Sequence, residues 1–583
     1  YISVTGVQTC ALPISKINAQ SFFIKWILEK RITRLGFSYR LDPNDAQISF
    51  GKIIYLLRER GLFGKHDSQL KSIYFAGLPN ACEKIEREYD GRFPVFIGDE
   101  TPMETLTIIG IPPNLIPTEL KESSVYDEER FNFGKKIIDE QNYRFYSPPD
   151  RSGYKDFGTR KDTVVKRIEN AHLFNQPPLT RVHVGPYNPN YIEALKEFQS
   201  WLKILSQTKY LDIVSIGSSQ LSQSDFGTDW GKRPNGGGVP INSELDLINI
   251  YEVSRPMLIR TYAGTSNIPR LAEIFEKTIN IAWHALSFWW FCQIDGRGPY
   301  TVSYNLEQHI EALKVIAKSG KPFEPNIPHH FGFRGSDDYT YVLSGLLAAI
   351  TAKKYGIRYF IIQNMLNTPK YTWGIQDLAK SRALVKLIKE LETPNFKVFL
   401  QPRAGLDYFS HDLYKARIQL ASVTALMDDI EPSNNHSPDI IHVVSFSEAV
   451  ELANPAIINE SIQITQYALT EYRKLKVQGK VGFPNFELDV NDRTDDIYFE
   501  VKNIINLIDK YYTDPYSAKG LYEIFKDGLM PVPYLWEGRD EFKEAIKWKT
   551  MFINGSVKVV DDEGKVISPS NRIKAIFETK SYQ

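Results

Sequence analysis

Cysteine is nearly missing from this chain. Its 583 residues include three, Cys10, Cys82 and Cys292, with no spacing that suggests a thiolate metal site or a redox pair. A disulfide scaffold is thereby excluded, and a reducing cytoplasm is the expected compartment. Surplus charge is missing too. The 70 Lys and Arg balance 70 Asp and Glu, so composition offers no electrostatic footprint for nucleic acid or an anionic membrane surface. No apolar run reaches the length of a membrane-spanning helix; the richest, Trp283–Ile294, is too short. What remains is ordinary for a globular protein, with 42% hydrophobic and 24% charged residues. A chain of this length predicts roughly two to four domains, each with its own core.

The string VTGVQTCALPI (Val4–Ile14) reads like a translated sequencing-adapter oligonucleotide, and the chain opens on Tyr1 rather than Met. Residues 1–14 are therefore expected to be an artefact and are set apart from fold reasoning, Cys10 with them.

From Thr180 onward, short apolar β-rich runs alternate with helical patterns. The candidate strands are Thr180–Tyr187, Leu211–Ser219, Pro256–Gly264, Ser287–Ile294, Asn326–Phe333, Arg358–Met365, Lys397–Gly405 and Asp439–Ser447. Each is followed by helical spacing, as in YIEALKEFQSWLKIL from Tyr191 or IQDLAKSRALVKLIKELE from Ile375. Near-continuous apolar strands joined by helices predict parallel crossovers, and this count and length predict a (β/α)8 TIM barrel. An open doubly wound sheet is the alternative, but it usually stops at fewer strands and shows a Gly-rich first turn, which is not visible after Tyr187. The expected organisation is an N-terminal α/β domain of unread role over residues 15–150, a linker over 151–179, the barrel over 180–475 and a C-terminal extension over 476–583. Within these, Lys71–Glu88 reads as strand then helix, Ser147–Asp162 has linker composition, and Val490–Asp496 opens the final region. SVKVVDDEGKVISP reads as a hairpin with Asp-Gly-type turn chemistry.

A TIM barrel carries its site at the C-terminal ends of the strands. There the sequence offers His183 and Gly185; Ser218, Ser219 and Gln220; Arg260 and Tyr262; Asp295, Arg297 and Tyr300; His329, His330, Phe331 and Arg334; Gln363 and Asn364; Gln401 and Arg403; and Glu448. One arginine alone reads as a surface ion pair or loop anchor. Several on one rim with few carboxylates predict an anionic ligand, because a guanidinium fork matches carboxylate or phosphate. Other chemistries lack their parts. A metal hydrolase wants His-x-His on a strand, whereas His329 and His330 are adjacent and, on a strand, would face opposite ways. No run ends in a Schiff-base lysine, and paired acids for glycoside hydrolysis are nearly lacking. No metal ligand set is expected. A rim without a polar catalytic constellation suits a cofactor that carries the hard step.

The motifs AGTSNIPRLAEIFE (Ala263–Glu276), GPYTVSYNLEQ (Gly298–Gln308), HFGFRG, GIQDLAKSRAL, QPRAG, SFSEAVELANPA and, near the end, Ile524–Phe542 fall in an order that resembles the large subunit of glutamate (methylaspartate) mutase. The resemblance covers about Thr180 to Phe542, weakly in places, and does not reach the N-terminal region. It implies an isomerase using adenosylcobalamin by a radical rearrangement of the carbon skeleton. It implies that Pro299, Phe331 and Glu448 face the cofactor and that Tyr300 lines the substrate site. The chain lacks the Asp-x-His-x-x-Gly signature that supplies a histidine to cobalt, so the resemblance implies a small cobalamin-binding partner subunit that carries it and shares the cofactor. A dimer of the large subunit is a further partner the resemblance allows.

The departures bear on substrate. Where the family grips a dicarboxylate with arginines from strands one to three, this chain has His183, then Ser and Gln, then Tyr262, with Arg260 two residues earlier on the same face. Val444 stands in place of the lysine that pairs with the family's adenosyl-contacting glutamate, and Arg403 in place of a methionine. The expectation is a small anionic substrate other than glutamate, held by His183, Arg260, Tyr262, Tyr300 and Arg403. The alternative is a mutase-like barrel that has lost catalysis and serves as a binding or regulatory subunit.

Overall fold

The computed structural model describes residues 23–581 apart from 26, 30, 40–42, 113, 115–124, 234, 236, 482, 483 and 536. The adapter-like stretch 1–14 lies outside the described residues. The chain forms two compact units, one built on the residues up to Ser123 together with Phe409–Ala416 and Ala449–Glu451, the other on the remainder.

The first unit is a small α/β layer. Strands β1 (Arg34–Tyr39), β2 (Ser72–Gly77) and β3 (Val95–Phe96) are parallel in the order β1-β2-β3. Helices Pro43–Glu59 and Pro79–Glu88 make the crossovers, the second beginning where Lys71–Glu88 predicts a switch from strand to helix. Phe50 anchors its core edge-on against Phe75, Phe93 and Tyr89 at ring distances of 5.3, 5.2 and 5.7 Å.

The second unit holds the (β/α)8 barrel. Its strands are β4 (Leu179–Val184), β5 (Ile213–Ile216), β6 (Leu258–Arg260), β7 (His284–Leu286), β8 (Phe323–Pro325), β9 (Tyr359–Met365), β10 (Lys397–Arg403) and β11 (Ile440–His442). Sequential strands are neighbours and β11 pairs with β4 in parallel. The seam between β6 and β7 is bridged by the Ala282 N–H donating to the Ile259 carbonyl at 2.7 Å. Helix Tyr191–Thr208 begins on an Asn190 cap whose side chain accepts from the N–H groups of Ile192 and Glu193. Helix Gly374–Lys389 likewise falls where its sequence pattern puts it.

Helix Val164–Leu173 stops the N-terminal end of the barrel. Val164, Val165 and Ile168 share a core with Leu179, Ile213, Leu258, Ala282, Trp283, Ile361, Phe399 and Ile440. The segment expected to be a linker is therefore a structural plug. Arg151 pairs with Asp212 at 3.1 Å and Arg167 with Asp162 at 2.7 Å, all four side chains nearly or fully buried.

Four further boundaries differ from the sequence reading. Strand four is His284–Leu286, and the apolar run after it is a buried loop, not a strand. Strand five is Phe323–Pro325, and Pro328–Gly332 forms one helical turn. Val490–Asp496 lies inside the long helix Pro484–Tyr511, which packs on the barrel helices Asp338–Lys354 and Gly374–Lys389. The hairpin is β12 (Lys549–Ile553) with β13 (Ser556–Val560), turned by Asn554-Gly555 at φ 49° and 74°, which is the left-handed pair a two-residue turn demands. The Asp-Glu-Gly stretch beyond it closes a lesser loop through a single bridge between Val560 and Val566. None of the described helices is long and apolar enough to cross a membrane.

Candidate active site

Alternation along β4 puts Arg181 and His183 on the same face, directed into the barrel. Arg181 is fully buried; its Nε donates to Ser215 Oγ at 2.7 Å and its Nη1 to Glu324 Oε2 at 3.1 Å and Gln401 Oε1 at 3.0 Å. Its Nη2 lies 3.3 Å from His183 Nε2. A guanidinium can only donate, so His183 Nε2 accepts and its ring proton sits on Nδ1.

Glu324, at the centre of β8 and fully buried, is the hub of this layer. Oε2 also accepts from Trp283 Nε1 at 2.5 Å and Gln401 Nε2 at 3.0 Å, and Oε1 accepts from Arg260 Nη2 at 2.9 Å. The Asn326 amide, oriented to satisfy its neighbours, donates to Oε1 at 3.1 Å and accepts from Arg260 Nη2 at 3.0 Å. Both carboxylate oxygens are thus saturated. Burial alone would raise the Glu324 pKa, but Arg181 and Arg260 pull it down to about 2.

Above this layer the mouth is aromatic and cationic. Tyr262 stacks on His183 at 5.5 Å and has the Arg260 guanidinium 5.2 Å from its ring centre. His183 also meets His442 at 5.1 Å. Arg403 is nearly buried, its Nε donating to the Ala404 carbonyl at 3.1 Å. Burial, reinforced by Arg181, Arg260 and Arg403, holds the His183 and His442 imidazoles well below their usual pKa. Burial and Arg403 bring His329 down to about 3, and burial with His329 and Arg334 depresses His330. All four rings are neutral at physiological pH.

The loop after β7 forms one wall. Asp295 accepts from the Phe291 and Cys292 N–H groups at 2.9 and 3.0 Å and from Arg334 at 3.4 Å. Gly298 is required here, since a Cβ would stand 2.4 Å from the Phe291 carbonyl oxygen. Arg334 lies 4.0 Å over the Trp290 ring.

Of the residues expected to hold substrate, His183, Arg260, Tyr262 and Arg403 come together. Tyr300 stands apart from that group: its hydroxyl accepts from the Asn267 N–H at 3.3 Å and its ring packs on Tyr304 at 4.7 Å. Of those expected to face a cofactor, Pro299 and Glu448 are exposed at strand exits. Phe331 is not: its ring is enclosed by Trp289, Trp290 and Phe525 at 5.5, 4.9 and 5.8 Å, with no exposure. In this structure the Phe331 ring therefore belongs to the aromatic wall and not to an exposed face. His329 and His330 share one helical turn, their rings 4.5 Å apart, rather than facing opposite ways across a strand. Sequence reasoning does not point to Arg181, Glu324, Trp283 or His442. Only Arg181 carries a readable signal, its two-residue spacing from His183.

Two guanidinium nitrogens of Arg260, Nε and Nη1, are buried with no hydrogen-bond partner, as are Nδ1 of His329 and of His442. A buried donor without an acceptor costs about 1–3 kcal/mol, more when charged. No group of three or more His, Cys, Asp or Glu among the described residues is placed to hold a metal ion.

No protein-family model matches this chain, and no curated protein does. Among solved structures it is similar to the spore coat polysaccharide biosynthesis protein SpsE from Bacillus subtilis, with 11% identity and a TM-score of 0.31 over 53% of this chain and 72% of that one. A likeness that slight carries no argument about function.

Proposed function

We propose that this chain is the large subunit of an adenosylcobalamin-dependent carbon-skeleton mutase of the glutamate mutase kind, acting on a small anionic substrate other than glutamate. A separate small subunit carrying Asp-x-His-x-x-Gly supplies the cobalt ligand, and two large subunits associate as a dimer in the cytoplasm. The observation that carries the substrate half is Arg260, fully buried with two donors unmet. Three enclosed guanidiniums, Arg181, Arg260 and Arg403, face one enclosed carboxylate, Glu324, so an anion would supply both missing charge and missing acceptors.

When bound, adenosylcobalamin supplies homolytic hydrogen abstraction, which polar side chains do not provide. Pro299 and Glu448, exposed at the strand exits, fit a group lying on the rim. The chain's own part is to hold the anion with Arg260 and Arg403, to orient it with His183 and Tyr262, and to keep water out with the aromatic wall. The four neutral histidines suit this role, because they offer hydrogen bonds without adding charge.

A second reading, a mutase-like barrel that binds without catalysis, is favoured by the enclosure of Phe331. Mixing the chain with a small Asp-x-His-x-x-Gly protein, adenosylcobalamin and candidate anions separates the two. A substrate-dependent Co(II) electron-spin-resonance signal is expected. Anion binding with no such signal favours the second reading, and interconversion of glutamate and methylaspartate at ordinary mutase rates overturns the altered substrate.

A further inference from the structure

We infer that the ligand of this mouth is a small carboxylate that carries no ammonium group, seated on the unpaired edge of Arg260. The inference rests on the anionic substrate proposed above and narrows its class.

The acceptor inventory supports it. An amino-acid ligand needs a carboxylate, or several carbonyls, for its ammonium group, because an enclosed cation without a counter-charge is strongly disfavoured. Glu324 has no capacity left: five donors, from Arg181, Trp283, Gln401, Arg260 and Asn326, converge on its two oxygens. Asp295 is committed to Arg334 and to two backbone N–H groups of its own loop. Glu448 stands exposed at the rim, its charge acting on Arg403.

The surroundings are otherwise cationic. The charges acting on His183 and His442 are those of Arg181, Arg260 and Arg403. An ammonium entering beside Tyr262 would meet these guanidiniums and the unmet nitrogens of Arg260, all of them donors. A carboxylate meets the same groups as partners. The site therefore discriminates by what it cannot accept, a form of rejection that unpaired buried polar groups make severe.

Calorimetric titration of the full chain alone, without cobalamin, tests this with matched probes: succinate against L-aspartate and glutarate against L-glutamate. The amine-free acid of each pair should bind at least tenfold more tightly. Arg260→Lys, which keeps a cation beside Glu324, should weaken glutarate about tenfold or more, with circular dichroism checking the fold. Should that variant fail to fold, the wild-type pairs still decide. Equal or tighter binding of either amino acid overturns the inference, as does binding of neither acid in both pairs. If glutarate binds and no Co(II) signal ever appears, the inference stands and the mutase reading falls; if glutamate binds equally and the signal appears, the reverse holds.

Discussion

At the N-terminal end of the barrel, every nitrogen of Arg151 and Arg167 has an acceptor. Arg151 donates to Asp212, Gln176, Pro177 and Pro178, and Arg167 to Asp162, Asp212 and Pro256. At the C-terminal end, Arg260 is as deeply buried and leaves two nitrogens unmet. The same residue type in the same barrel is closed off at one end and left open at the other. The closed end holds the fold together, and the open end keeps unspent interaction capacity where strand exits converge.

Breaking the closed end should have the largest effect. Asp162→Ala removes the counter-charge of the nearly buried Arg167 and the acceptor of Gly158 N–H and the Tyr154 hydroxyl. A loss of about 3–5 kcal/mol in urea denaturation is expected. Anion affinity in the surviving folded fraction should be unchanged.

Acid should act next, at the open end. His329, His330 and His442 are enclosed and held neutral, their pKa values depressed in the folded state. In the unfolded chain each titrates near the ordinary 6.5, so below that value the unfolded state binds more protons and stability falls with pH. About 1 kcal/mol per histidine is the expected loss between pH 6.5 and 5.5. Glu324 adds a second loss only between about 4.5 and 2, since its depressed pKa keeps it ionised until then. Thermal denaturation across this range checks both, and a bound carboxylate should blunt the first.

Arg403→Gln should change stability least, by less than about 1 kcal/mol, because burial already disfavours its charge more than Glu448, Tyr262 and Glu324 favour it. Its glutarate affinity should still drop about tenfold. A large stability loss with unchanged affinity would erase the contrast between the two ends.

The closed end and the barrel count were legible because apolar periodicity and strand–helix alternation report burial directly. The shifts in strands four and five have different causes. The run Ser287–Ile294 is apolar throughout, and periodicity does not separate a buried loop from a buried strand. Phe323–Pro325 contains a proline and a glutamate, which argue against a strand locally. Glu324 is tolerated there because its partners Arg181, Arg260, Trp283 and Gln401 come from distant parts of the chain, pairings that no local window contains. The plug is illegible for the same reason: its arginines and aspartates have the composition of a solvated linker, and their partners lie elsewhere in the chain.

The loop after β7 places Phe288 and Phe291 in left-handed backbone conformations, at φ 51° and 63°. Such positions cost on the order of 1–3 kcal/mol each outside glycine and persist only when surroundings over-determine them. Here Phe288, Trp289 and Trp290 are wholly enclosed and Asp295 ties the backbone. This wall cannot drift one residue at a time, since each change forfeits support for the others. Descendants of this chain that acquire a new ligand will rewrite the side that carries Arg260, Tyr262 and Arg403, and inherit the aromatic side intact.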